Sequence, residues 1–230
     1  MSVTAIVIQV AMDEEAQPFL DAARDVSEPV EVGRAVHRGV VLGDATVVLV
    51  TSGIGMVNAA DAATGAIHRY GPEGVVLISA GSAGGLGADV AVGDIVVGTE
   101  VVNVTADARA FGYALGQVPG MPATYPADPQ LAAALADSGD ARRGAMGSGD
   151  AFVTSELAHR LRSDFPDALT VDMETAAIAQ IAFNHSARFA ACRAVSDLCA
   201  PDADEFETHI DDAASRSAAA VIDAIARLAA

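Results

Sequence analysis

The sequence predicts one α/β domain with a largely parallel sheet buried between helical layers. Three observations carry this. Short apolar runs of strand length alternate along the chain with stretches that are apolar at helical spacing. Hydrophobic residues make up 52% of the 230, enough for a substantial buried core. No low-complexity linker or internal repeat divides the chain, so residues 1–230 read as a single unit.

The elements follow in order. Val3–Val10 is a continuous apolar run and reads as a strand buried on both faces. The acidic triplet Asp13-Glu14-Glu15 opens a helix that runs to about Arg24, since carboxylates suit the positive end of a helix dipole. Val47–Thr51 is a second strand, followed by a Gly-rich turn and a helix over Asn58–Arg69. Gly74–Ser79 and Asp94–Gly98 are further strands. Gly112–Pro129 is rich in Gly and Pro and reads as one long loop, a length usually tied to function. Met173–Asn184 is a helix, Ala187–Val195 a late strand, and Ala213–Leu228 a last helix with Val221, Ile222, Ile225 and Leu228 along one stripe.

Charge and composition exclude several classes of function. The net charge is −18, from 31 acidic and 13 basic residues, and such a surface repels phosphate backbones and anionic lipid. Nucleic-acid and membrane partners are therefore not expected. All basic residues are arginine; without lysine there is no Schiff-base chemistry and no Walker A motif. Cys192 and Cys199 lack the spacing of a disulfide framework or metal site, and His37, His68, His159, His185 and His209 are scattered singly, so no metal is expected. The polar start Met1-Ser2-Val3-Thr4 carries no cationic leader, and the expectation is a soluble, cytoplasmic protein.

In open α/β sheets, ligands bind beyond the carboxyl ends of the strands. Four segments put polar residues or glycines there: Ala11-Met12-Asp13-Glu14-Glu15, Ser52-Gly53-Ile54-Gly55, Ala80-Gly81-Ser82-Ala83-Gly84-Gly85 and Arg193-Ala194-Val195-Ser196-Asp197. A fifth, Thr170-Val171-Asp172-Met173-Glu174, enters a helix with two carboxylates. Singly, each has a plain structural explanation, as a helix start, a chain reversal or a cap. Together they define one crevice, and their spacing does not name a reaction.

These blocks resemble the methylthioadenosine/S-adenosylhomocysteine nucleosidases, within the purine nucleoside phosphorylase superfamily. The resemblance continues through Val92-Gly93-Asp94-Ile95, Ala110-Phe111-Gly112-Tyr113, Gly116-Gln117-Val118-Pro119-Gly120 and Ser148-Gly149-Asp150-Ala151-Phe152, in order, over nearly the whole chain. It implies a three-layer α/β/α sandwich around a central mixed, partly barrel-like sheet. It also implies a homodimer, no cofactor, and release of adenine by cleavage of an N-glycosidic bond. On this resemblance Glu15 is the base that activates water, Asp197 the acid that protonates adenine, and Glu174 the carboxylate that grips the ribose hydroxyls beside Met173. Phe152 stacks on the base and the Val153 backbone reads its amino edge. Ser82, Gly84, Arg193 and Ser196 line the pocket, Met12 and Ile54 face the 5′ substituent, and Phe111 and Pro119 arrive from the partner subunit.

The chemistry agrees with those roles. Adenine leaves poorly as an anion and needs a proton from a buried acid, while the sugar gains cationic character that carboxylates stabilise. One departure concerns Cys199–Glu207, where the family often carries an aromatic over the 5′ group: Ala203 falls near that place and Phe206 lies a few residues on. The preferred 5′ substituent stays open, a futalosine-type nucleoside included. The rivals are a purine nucleoside phosphorylase, for which no arginine cradle lies near Ser52–Gly55 or before Gly81, and a catalytically silent nucleoside-binding protein.

Overall fold

The computed structural model describes residues 5–71, 74–137, 139–199 and 204–229. In chain order these form β1 (Ala5–Val10), α1 (Asp13–Ala22), β2 (Asp25–Val26), β3 (Val30–Val32), β4 (Ala35–Leu42), β5 (Ala45–Thr51), α2 (Met56–Tyr70) and β6 (Val75–Gly85). There follow β7 (Ile95–Asn103), β8 (Tyr125–Pro126), α3 (Pro129–Ala136), β9 (Arg142–Ser148), α4 (Ser155–Asp164), β10 (Ala168–Asp172), α5 (Thr175–Asn184), β11 (Arg188–Asp197) and α6 (Asp204–Ala229). Val3 and Thr4, the start of the first expected strand, lie outside the described residues. No helix among the described residues is long and apolar enough to cross a membrane.

The layering follows from the period of two along the central strands. On β1, Ile8 and Val10 join one core with Phe19 of α1, Leu131 of α3 and Val221 of α6. Val7, facing the other way, joins a second core with Ile67 of α2 and Ile178 of α5. On β6, Val76 and Ile78 go to the first core and Val75 and Leu77 to the second. A strand that must be apolar on both faces reads as an unbroken hydrophobic run, which is why β1, β6 and β11 stand out in the sequence. The result is the three-layer α/β/α sandwich.

The sheet runs β10-β9-β7-β11-β6-β1-β5-β4-β2, and β10 pairs again with β6. That extra pairing closes β6, β11, β7, β9 and β10 into a five-stranded ring. The expectation of a largely parallel sheet needs correction. Parallel pairs join β1 to β5 and β6, β6 to β11, and β9 to β7 and β10. Antiparallel pairs join β4 to β5, β7 to β11 and β10 to β6. For β4 and β5 the cause is connection length: β4 returns as β5 through the two-residue Gly43–Asp44 turn, with Gly43 at φ +59°. Only connections long enough for a crossover give parallel neighbours.

The expected loop Gly112–Pro129 is also interrupted. It contains β8, and Pro129 already opens α3, whose first turn is capped by Asp128 accepting from the N–H groups of Gln130 and Leu131.

Candidate active site

The carboxyl ends of β1, β6, β10 and β11 converge on one cavity of about 160 Å³, where roughly 10–15 Å³ is the least that admits a single water. Each wall can be traced to its element. Of the three acids that open α1, Asp13 and Glu14 point to solvent and Glu15 turns inward. Its Oε2 accepts from the N–H groups of Ala11 (2.8 Å) and Met12 (3.3 Å), folding the side chain back over the helix start. Its Oε1 accepts from the N–H and hydroxyl of Ser82 at 2.8 and 3.0 Å, tying the end of β1 to the end of β6. Beneath this contact Gly81 has φ +138°, and a Cβ there would collide with the Glu15 carboxylate and the Arg193 guanidinium. Only glycine leaves space for both.

At the end of β11 the ladder to β6 slips between Val195 and Asp197, a bulge that leaves both Ser196 and Asp197 buried at the cavity. Asp197 Oδ2 accepts from the Ser196 hydroxyl (2.8 Å) and Oδ1 from the Cys199 N–H (2.8 Å). A Cβ on Gly84, across the ladder, would meet Cys199 Sγ at 2.8 Å.

The end of β10 supplies the densest polar contacts. Asp172 Oδ1 accepts from the Ser148 hydroxyl (2.7 Å) and from the N–H groups of Glu174 and Thr175 (2.9 Å each). Its Oδ2 accepts from the Thr175 hydroxyl. Glu174 Oε1 accepts from the Gly55 N–H at 3.0 Å, which brings the start of α2 against the start of α5. Asp150 does the same from the next loop, accepting from the Met56 N–H at 2.7 Å.

Behind this floor lies Arg193, almost fully buried. Its guanidinium approaches Asp172 (3.4 Å), Glu174 (3.5 Å) and Glu15 (3.8 Å), and donates to the hydroxyls of Ser79 and Thr175 and the carbonyl of Ser82. Burial disfavours its charge, but the three carboxylates more than offset that. For Glu174 the balance goes the other way. Burial raises its pKa most, Arg193 lowers it, and the charges of Asp172 and Glu15 raise it again, so that it is pushed up to about 7.

Most of the residues expected from the sequence meet here. Met12, Glu15, Ile54, Ser82 and Gly84 line the cavity from the β1, β5 and β6 side. Phe152, Val153, Met173, Glu174, Ser196 and Asp197 line it from the other. Arg193 stands behind the wall rather than in it. Phe111 and Pro119 do not line the cavity of their own chain: Phe111 sits in an isolated helical turn and Pro119 on the loop after it, both exposed.

The Phosphorylase superfamily matches residues 5–227 of the chain. The 5′-methylthioadenosine/S-adenosylhomocysteine nucleosidase of Anoxybacillus flavithermus is 39% identical over 215 residues, covering 90% of this chain and 91% of that protein. The chain belongs to this nucleosidase family. The crystal structure of the corresponding nucleosidase from Neisseria meningitidis, in complex with methylthio-immucillin-A, superposes with a TM-score of 0.92 at 36% identity, covering 97% and 99% of the two chains. The futalosine hydrolase of Helicobacter pylori superposes at 0.90 with 27% identity, covering 98% of each.

Set beside the family pattern, the cavity holds two residues, Asp172 and Phe206, to which the sequence assigns no role. Asp172 was visible only as a neighbour of Glu174; its Asp-x-Glu-Thr setting at a helix start was the available signal for a carboxylate that collects backbone N–H groups. Phe206, in the first turns of α6, also lines the cavity and packs edge-on to Phe152, ring centroids 5.7 Å apart. Ala203, near the place of the family's lid aromatic, lies outside the described residues. Nothing local in the sequence announces that Phe206 reaches Phe152.

Proposed function

We propose that this chain hydrolyses the N-glycosidic bond of 5′-methylthioadenosine, S-adenosylhomocysteine or both, releasing adenine, as one catalytic domain over residues 1–230. The observation that carries the reading is the convergence of Glu15, Glu174 and Asp197 on one cavity that also offers an aromatic face at Phe152. Cleavage builds positive charge on the sugar and negative charge on the base. A carboxylate at Glu15, held ready by Ser82, orients and deprotonates water. A second at Glu174 takes the sugar hydroxyls and favours the cationic sugar, with Met173 against the ring. Asp197 delivers the proton that lets adenine leave neutral. Phe152 stacks on the base, the Val153 backbone reads its amino edge, and Met12 and Ile54 face the 5′ group.

Water rather than phosphate is the nucleophile in this reading. Among the described residues no arginine lines the cavity, and the charge of Arg193 is already shared by three carboxylates. The likeness to the futalosine hydrolase supports aminodeoxyfutalosine as the alternative nucleoside. The enzyme works as a homodimer in the cytoplasm, with Phe111 and Pro119 completing the site of the opposite subunit; the exposure of Phe111 on its own chain supports this.

The test is product analysis with each nucleoside, with and without phosphate. Adenine and free sugar, lost in Glu15→Gln, are expected; a sugar phosphate would make the enzyme a phosphorylase, and no adenine at all would end the reading.

A further inference from the structure

Glu15, Asp172 and Glu174 compete for one guanidinium, and the structure does not treat them alike. Asp172 has both oxygens engaged, by Ser148, by two backbone N–H groups and by Thr175. The Thr175 hydroxyl that donates to Asp172 also accepts from Arg193 Nε (3.2 Å) and Nη2 (3.0 Å). The guanidinium is thus coupled to Asp172 twice, directly at 3.4 Å and through Thr175. Glu15 is held by its four donors, and Arg193 comes no nearer than 3.8 Å. Glu174 is the least satisfied: Oε1 accepts from the Gly55 N–H, and Oε2 accepts one long hydrogen bond from Arg193 Nη2 at 3.5 Å, on a residue that lines the cavity.

We propose that Asp172 is a positioning residue for Glu174: it claims the Arg193 guanidinium and so leaves the Glu174 carboxylate available to bind sugar hydroxyls. This rests on the reading of Glu174 as the group that grips the sugar. The charged groups around Glu174 are Arg193 from β11, Asp172 from β10 and Glu15 from α1, with Asp197 lining the same cavity and Asp150 on the Met56 N–H beside Gly55. Among them Asp172 repels the charged form of Glu174 and restrains the one cation that would neutralise it. Asp172 touches no reacting atom in this role; it acts through Arg193 and Glu174.

Asp172→Asn keeps the shape and removes the charge. Arg193 then turns to Glu174, whose ionisation moves to lower pH by about one unit, roughly the tenfold that one neighbouring charge commands. The acid limb of kcat/KM should move down by that amount, and KM should rise at pH 8 while kcat changes less. Asp172→Glu, which restores the charge, should return the limb towards the wild-type position. Thr175→Val cuts the bridge between Asp172 and Arg193 with every charge in place, and should move the limb the same way by less. It also serves should Asp172→Asn fail to fold. Carboxyl-carbon NMR titration of glutamate-labelled protein, with the Glu174 signal assigned by its loss in Glu174→Gln, reads the same shift without catalysis. A failure of the wild type to cleave nucleosides would therefore count against the function and not against this arrangement. A folded Asp172→Asn whose Glu174 titrates as in the wild type, or whose KM and acid limb are unmoved, overturns the proposal.

Discussion

On the floor of the cavity Glu15, Asp172, Glu174 and Arg193 are each at most 7% exposed, and every one is fixed by named hydrogen bonds or ion pairs. At the rim, Ile54 is 50% exposed and Phe152 44%, and these side chains offer apolar surface alone, as does Phe111, 83% exposed and outside the cavity of its own chain. Buried charges must be paired in fixed geometry or they cost several kcal/mol, so the floor tolerates little change. Apolar contacts carry no direction and grow with area, so the rim can vary and still close over a ligand. On the proposed function, the floor sets the chemistry and the rim selects among 5′ substituents.

That contrast can be broken from the floor first. Asp197→Asn removes the transferable proton and keeps the shape, and kcat should fall roughly a hundred- to ten-thousandfold, the usual worth of general acid catalysis. Adenine binding, measured by calorimetry, should survive. Near wild-type turnover would mean that another group protonates the base.

The rim should respond less, and in KM. Phe111→Ala is expected to lower kcat/KM about ten- to a hundredfold, the scale of one large apolar side chain withdrawn from a ligand. Since Phe111 does not line its own cavity, the proposed sharing predicts that the loss is repaired in trans. Co-refolding Phe111→Ala with Asp197→Asn yields mixed dimers with one site in which both residues are intact. Substantial regained activity is the expected outcome; none would show that Phe111 serves its own chain, and a fully active monomer by light scattering would exclude sharing.

The smallest effect belongs to Phe206. Its edge-on contact with Phe152 has the scale of one aromatic pair, so Phe206→Ala should raise KM about two- to tenfold and leave kcat alone. Comparing methylthioadenosine with S-adenosylhomocysteine then shows which substituent the pair favours. A fall in kcat with KM unchanged would move Phe206 from rim to floor.

How far the sequence reached follows the same division. Strands β1, β6 and β11 are legible because both of their faces are buried. Strand β9, Arg-Arg-Gly-Ala-Met-Gly-Ser, is not legible because the ring there demands small residues: a Cβ on Gly147 would strike Val104, and one on Gly144 would strike Leu169. Strand β10 and helix α4 are not legible either, α4 because only Ala158 and Leu161 are buried on an otherwise polar helix. The site was legible in its motifs, and the resemblance assigned roles to Glu15 and Asp197. Spacing could not say which of Asp13, Glu14 and Glu15 turns inward, because that depends on Ser82, 67 residues away. Nor could it show one guanidinium of β11 shared by an acid of α1, one of β10 and one capping α5, since that exists only once these elements are side by side.

The closure of β10 onto β6 also bears on how the chain behaves among copies of itself. An open sheet offers an unpaired strand at each end, and such edges are where foreign strands add and aggregates start. Here one end is joined back into the ring, and the other finishes along β4 in two short strands, the three-residue β3 and the two-residue β2, the latter exposed and carrying Asp25. A strand that short gives an incoming chain almost no ladder to extend, and its carboxylate repels a copy of the same acidic protein. The ring that frames the cavity thus also leaves folded copies of the chain no long open edge on which to pair.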